Sequence, residues 1–199
     1  ETVPALGLPW EVFGVDGGEF WGQLSFLKTG VQFSDVVTTV SPSYARETRQ
    51  TEFGCGLEGV LSARGDRYLG ILNGIDTDVW NPAADPRLPE PYDAAHLAGK
   101  RACKRALPER FRLPVGDDAL DRPLVGMVSR LVDQKGLDLV AEGGAELVAL
   151  DASWVFVGTG DARYEAMLRR LAAEHPTRVG AFIGFDEALA HLVEAGSDL

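Results

Sequence analysis

Two cations stand close together in an otherwise acidic chain. Arg130 belongs to the segment Ser129-Arg130-Leu131-Val132-Asp133-Gln134-Lys135-Gly136, which follows the apolar run Leu124-Val125-Gly126-Met127-Val128. Lys135 ends the same segment, where a helical stretch begins. A basic residue directly off a strand, a second one shortly after and then a helix N-terminus describe an anion site. Backbone N–H groups and the helix dipole favour a phosphate there, and Arg130 and Lys135 add two fixed positive charges. Two ordinary surface cations would show the same spacing. The segment carries neither the Gly-x-x-x-x-Gly-Lys-Ser/Thr of a P-loop nor the Gly-x-Gly-x-x-Gly of a dinucleotide fingerprint.

Other candidates also end apolar runs. In Val157-Gly158-Thr159-Gly160-Asp161 the small residues, Gly158 first, let a ligand approach the backbone closely. A glycine turn with an aspartate cap would look the same. In Ile183-Gly184-Phe185-Asp186 the aromatic beside Gly184 is either one wall of a base pocket or a plug of the core. Asn73-Gly74, after Tyr68-Leu69-Gly70-Ile71-Leu72, reads as a tight turn at a domain junction. His96, His175 and His191 share no ligand spacing and read as solvated or helix-terminal. Cys55 and Cys103 have no further thiol or histidine at zinc spacing, so no metal site is expected and a reducing, cytoplasmic setting fits. No Gly-x-Ser-x-Gly elbow supports serine hydrolase chemistry.

The elements that must hold these residues follow from hydrophobic pattern. Up to Gly22 the chain is aromatic and glycine-rich with neither helical nor strand period, and is expected to be loop with short helical turns. Ser25 to Phe33 reads as a helix and Val36 to Val40 as a buried parallel strand. Ser41-Pro42 starts a helix, with Ser41 as N-cap and Pro42 in the first helical position. A short helix over about residues 56–63, the strand 68–72, a proline-rich linker over 81–91 and a helix over 94–107 with a basic face complete the first part. From there strands at 124–128, 154–157 and 179–183 alternate with helices at 136–150, 163–175 and 187–194, and Leu199 is expected to open another strand. Such alternation predicts an α/β fold with a parallel sheet covered on both faces, its ligands at the carboxyl ends of the strands. The expected domains are residues 1–72, a hinge and linker over 73–93, and residues 94–199.

The 199 residues carry a formal charge of −11, from 30 acidic and 19 basic side chains. That balance argues against a nucleic-acid binder and against docking on an anionic membrane. No apolar run approaches the roughly 18 residues of a membrane span. The chain lacks an initial Met and ends as if entering a further strand, so it reads as a piece of a longer protein.

Several blocks together resemble the bacterial glycogen synthases and plant starch synthases. They are Ser25-Phe26-Leu27-Lys28-Thr29-Gly30, Val40-Ser41-Pro42-Ser43-Tyr44-Ala45-Arg46-Glu47, Gly56-Leu57-Glu58-Gly59-Val60-Leu61, Leu72-Asn73-Gly74-Ile75-Asp76 with Trp80-Asn81-Pro82, and Val128-Ser129-Arg130-Leu131 with Gln134-Lys135-Gly136-Leu137-Asp138-Leu139. They fall in family order across nearly the whole chain. The Ser-Arg-Leu…Gln-Lys-Gly block recurs in many related glycosyltransferases, whereas the Ser-Pro-Ser-Tyr-Ala-Arg-Glu block narrows the likeness to ADP-glucose users.

The resemblance implies a GT-B glycosyltransferase: two Rossmann-like domains, of which this chain holds the end of the first and the beginning of the second. It implies transfer of glucose from ADP-glucose to the non-reducing end of an α-1,4-glucan with retention, and needs no cofactor. Arg130 and Lys135 are then given to the donor diphosphate, taking the electrostatic role that a metal plays in some glycosyltransferases. Asn73 is placed near the transferred glucose, Gly158 and Gly184 at the substrate, and Phe185 where a tyrosine often stacks on adenine. The family's N-terminal Lys-x-Gly-Gly-Leu loop, its His-Asn pair and its Glu-x7-Glu segment do not occur in these residues, and the chain alone is expected to be inactive. A non-catalytic nucleotide-sugar-binding module, or a relative using UDP-glucose, is the alternative.

Overall fold

The computed structural model describes residues 2–199, which divide into two compact units, the first ending at Ile75 and the second spanning Asp76–Leu199.

The first unit begins with the short helix α1 (Thr2–Ala5) and then a hairpin of β1 (Glu19–Phe20) and β2 (Gln23–Leu24). The hairpin lies where only loop and helical turns were expected. Its strands are two residues long, too short for alternation to register, and it turns through Trp21 and Gly22, both at positive φ. Helix α2 (Phe26–Phe33) is capped by Ser25, whose Oγ accepts from the Lys28 amide at 3.1 Å. Strand β3 (Val37–Thr39) follows, then α3 (Pro42–Glu47), α4 (Thr51–Gly54), α5 (Glu58–Ala63) and β4 (Tyr68–Gly70). Ser41 Oγ accepts from the Tyr44 amide at 2.9 Å and Pro42 opens α3, the arrangement the Ser-Pro pair predicts. β3 and β4 pair in parallel, Val37 opposite Tyr68, over a core of Val31, Ala45, Leu57, Leu61 and Tyr68. The expected burial of the 36–40 strand does not hold: Val36 is 53% and Val40 56% exposed. Each lies just outside the paired residues, and β3 has one partner strand among the described residues.

Asn73-Gly74 does not form the expected turn; residues 71–76 carry no turn or regular structure. The chain bends at the start of the second unit instead. There the Asp76 carboxylate accepts from the Asp78 and Val79 amides at 3.0 and 3.1 Å, an Asx turn that needs no positive φ.

In the second unit the proline-rich stretch, expected as a linker, is packed down. Asp85 is buried and Leu88 and Tyr92 lean on the core. Helix α6 (Ala98–Arg110) starts later than its sequence pattern suggests. The Asp93 carboxylate holds the Ala95 and His96 amides in a turn just before it. After α7 (Asp117–Asp121) come three parallel strands, β5 (Leu124–Val128), β6 (Ser153–Gly158) and β7 (Val179–Ile183), with β6 in the middle. Between β5 and β6 the single expected helix is two, α8 (Leu137–Glu142) and α9 (Gly144–Ala149), broken at Gly143-Gly144. Adjacent glycines forfeit about 1 kcal/mol each of helix propensity, enough to end a short helix. α10 (Ala162–Glu174) and α11 (Glu187–Gly196) complete the unit.

Alternation along β6 builds both layers. Val155 and Val157 face Cys103 and Leu107 of α6 and Leu192 and Val193 of α11, while Phe156 faces Leu137, Tyr164 and Leu168 on the other side. Half of the basic face of α6 has a structural task. Lys100 Nζ donates to the Ala195 and Ser197 carbonyls at 2.8 and 2.6 Å, and Lys104 pairs with Asp198 at 2.6 Å. These contacts close the C-terminal end of α11 and lay the last residues beside β5, where the Gly126 amide donates to the Leu199 carbonyl at 2.9 Å. Leu199 thus runs where the expected strand would lie. Among the described residues no helix is long and apolar enough to cross a membrane.

Candidate active site

The carboxyl ends of β5, β6 and β7 enclose a cleft of about 260 Å³. Ser129 and Arg130 come from the end of β5, Gly158 and Thr159 from β6, and Gly184, Phe185 and Asp186 from β7, with Ala190 of α11 behind them. Parallel strands in register bring these segments together, since Val128 lies opposite Val157 and Gly158 opposite Ile183. The β5–β6 pairing continues past the strands as a Leu131–Gly160 bridge, so both loops leave the sheet side by side.

Gly158 forms the floor. A Cβ there would lie 1.9 Å from the Ser129 carbonyl oxygen, a contact with fixed backbone that no rotamer relieves. Gly158→Ala is therefore expected to cost about 1–3 kcal/mol through overpacking. A urea midpoint that stays at the wild-type value would show that the strand ends are less tightly joined than this.

The acidic side chain in the cleft lining, Asp186, caps α11 by accepting from the Leu189 amide at 2.9 Å, and two acidic groups on the neighbouring loops are engaged as well. Asp133 accepts from the Tyr164 hydroxyl and pairs with Arg163; the hydrogen bond from Tyr164, with the Arg163 charge beside it, holds its carboxyl below the usual range. Glu165 accepts from the Thr159 hydroxyl at 2.7 Å and the Gly160 amide at 3.1 Å, and those two donors likewise lower its pKa. Both side chains pin loops rather than neutralise the cations. Arg130 and Lys135 are exposed, and no carboxylate pairs with either among the described residues. An unpaired arginine in the lining of a cleft, with a second unpaired cation on the turn that follows, attracts an anion.

Of the residues singled out from sequence, Arg130, Gly158, Gly184 and Phe185 line one cleft. Lys135 lies outside its lining, in the turn Asp133–Lys135 that leads through Gly136 into α8. Asn73 belongs to the first unit and is exposed. Phe185 is 88% exposed, so its ring does not plug the core.

The histidines divide. His96 is exposed and His175 caps the end of α10, both as expected. His191 departs from expectation: it is buried on α11, its ring stacked on Trp80 at 3.9 Å and its Nδ1 2.5 Å from the Asp85 carboxylate. Asp85 precedes it by 106 residues, and no local pattern announces the pair.

A family model for the starch synthase catalytic domain matches residues 1–63. A glycogen synthase from Anaeromyxobacter dehalogenans (strain 2CP-C) is 53% identical over 199 residues, all of this chain and 41% of the relative. The chain resembles the glycogen and starch synthase family over its whole length. Within that family, a glycogen synthase from Opitutus terrae is 47% identical over 96% of this chain and 39% of its own length. The chain thus spans about two fifths of the curated synthases it matches. Among solved structures, the catalytic domain of starch synthase IV from Arabidopsis thaliana bound to ADP and acarbose superposes with a TM-score of 0.87 at 34% identity, over 95% of this chain and 39% of that one. Anabaena HepE in complex with UDP, at 15% identity and a TM-score of 0.50, shares the fold. The α/β architecture with parallel sheets is that of a Rossmann-like GT-B fold fragment, as the synthase resemblance implies.

Proposed function

We propose that this chain is the part of a cytoplasmic glucosyltransferase that holds ADP-glucose while its glucosyl group passes to the non-reducing end of an α-1,4-glucan with retention. The observation that carries the reading is the single cleft that joins an unpaired arginine, two glycines and an exposed phenylalanine at the ends of three parallel strands. The solved relative bound to ADP and acarbose supports a nucleotide donor and a glucan acceptor.

In this reading Arg130, with Lys135 on the following turn, takes the diphosphate. When the bond between glucose C1 and the β-phosphate oxygen breaks, the electron pair stays on that oxygen, and the two cations stabilise the charge that develops. Such preorganised groups are each worth about 2.7–4 kcal/mol of barrier. Gly158 and Gly184 leave room for the donor against the strand ends, Phe185 offers a face to adenine, and Asn73 is assigned to the transferred glucose. ADP-glucose and UDP-glucose compared as donors test the base directly. Turnover supported by UDP-glucose alone would overturn the assignment to ADP-glucose.

Because two side-chain cations serve the leaving group, activity of a full-length synthase carrying this segment is expected to survive EDTA. Loss of turnover on chelation, restored by magnesium, would contradict that division of labour.

A further inference from the structure

His191 is occupied by none of the chemistry above, yet it is the best-enclosed titratable side chain on α11. One ring face lies flat on Trp80, at an interplanar angle of 7°. Its Nδ1 meets Asp85 Oδ2, and its Nε2 has no hydrogen-bond partner among the described residues, the Glu187 carboxylate standing 4.0 Å away. Asp85 is an acceptor. Burial works against its charge, but the Arg87 amide on Oδ1 at 2.9 Å, the His191 contact and the nearby Arg87 guanidinium outweigh that and hold its carboxyl below the usual range. Facing an ionised acceptor, Nδ1 must carry the hydrogen. Arg87 closes the group from outside, 3.0 Å from Glu187 and 3.7 Å from Asp85.

The partners come from two distant stretches of chain. Trp80, Asp85 and Arg87 belong to the segment that opens the second unit, whereas His191 and Glu187 belong to α11. Every residue from Ile71 to Val79 is exposed, and that stretch crosses from the first unit into the second. Trp80 is the first side chain beyond it with a ring locked against the second unit, and Asp85 the first buried one.

We propose that His191 is a positioning residue: with Trp80 and Asp85 it latches the incoming chain to α11 and so fixes where the joint between the two units ends. The joint's freedom is then confined to Ile71–Val79, the stretch that contains Asn73. The kinetic consequence rests on the role proposed above for Asn73. The donor cleft is built mainly on the strand ladder, α11 adding Ala190 and its capping residue Asp186, so loosening the latch acts on the transfer step more than on donor binding.

Two substitutions separate the latch from mere space-filling. His191→Phe keeps a flat ring against Trp80 and removes the Nδ1 donor; His191→Asn keeps a donor near the Nδ1 position and removes the ring. Hydrogen exchange on the chain is expected to show residues 80–87 exchanging about tenfold faster in His191→Phe, as loss of a hydrogen bond to a charged group implies, with β5, β6 and β7 unchanged and protection largely regained in His191→Asn. In a full-length synthase carrying the segment, His191→Phe is expected to lower kcat about fivefold with donor KM unchanged, and His191→Asn to recover most of it. Unchanged exchange over residues 80–87, or equal loss in both variants, would overturn the latch. Lost protection with unchanged kcat would overturn the positioning role. If His191→Phe fails to fold, Trp80→Leu removes the stack from a ring that is 44% exposed, and the same two measurements decide. A full-length synthase carrying the wild-type segment that supports no glucosyl transfer would count against the proposed function, while the exchange experiment still decides the latch.

Discussion

In a full-length synthase carrying this segment, Arg130→Ala and Lys135→Ala are each expected to lower kcat more than tenfold with little change in glucan affinity. A preorganised group facing charge that develops only as the leaving group departs contributes to the barrier rather than to ground-state binding. Removing one such group typically costs about 10²–10³ in kcat. The structure ranks the two. Arg130 lines the cleft, whereas Lys135 approaches from the turn beyond it, so the larger loss is expected at Arg130. Arg130→Lys should recover only part of the loss, because a guanidinium binds a phosphate with two parallel N–H donors and an ammonium binds it as a point charge. Single-turnover kinetics with saturating donor measure this. Wild-type turnover in both alanine variants would remove the diphosphate from this end of the sheet.

Phe185→Ala is expected to raise the donor KM roughly ten- to a hundredfold, since stacking on a nucleobase is worth about 1–3 kcal/mol. Phe185→Tyr should be nearly neutral, because the ring face is retained. At 88% exposure the phenylalanine buries little surface on folding, so the alanine variant should keep its thermal midpoint. A buried phenylalanine would instead cost about 3–5 kcal/mol. Thermal midpoint and donor KM measured on the same variant therefore answer together. A large drop in midpoint with unchanged KM would remove Phe185 from the site.

Much of this arrangement was legible because parallel strands buried on both faces write themselves as short apolar runs. Leu124–Val128 and Val179–Ile183 lie where the runs lie, and the rule that ligands sit beyond the carboxyl ends of such strands points to Arg130, Gly158, Gly184 and Phe185. The failures have local causes. The hairpin at Glu19–Leu24 is too short to show a period, and Gly143-Gly144 divides a helix whose apolar pattern runs on without a break. Asn73-Gly74 has the composition of a turn, but the nearby Asp76 carboxylate forms one. The proline-rich stretch resembles a linker because its hydrogen bonds go to turns and its anchors are single side chains. The His191–Asp85 pair could not be read at all: a contact between residues 106 apart leaves no trace in either neighbourhood.

The central claim is that the cleft at the ends of β5, β6 and β7 holds the nucleotide diphosphate of the donor. Backbone amide spectra of the chain titrated with ADP test it most directly. The account predicts saturable shifts at Arg130, Gly158, Thr159, Gly184 and Phe185, reduced at least about tenfold in affinity in Arg130→Ala. Shifts absent from these amides, or gathered elsewhere in the second unit, would contradict it.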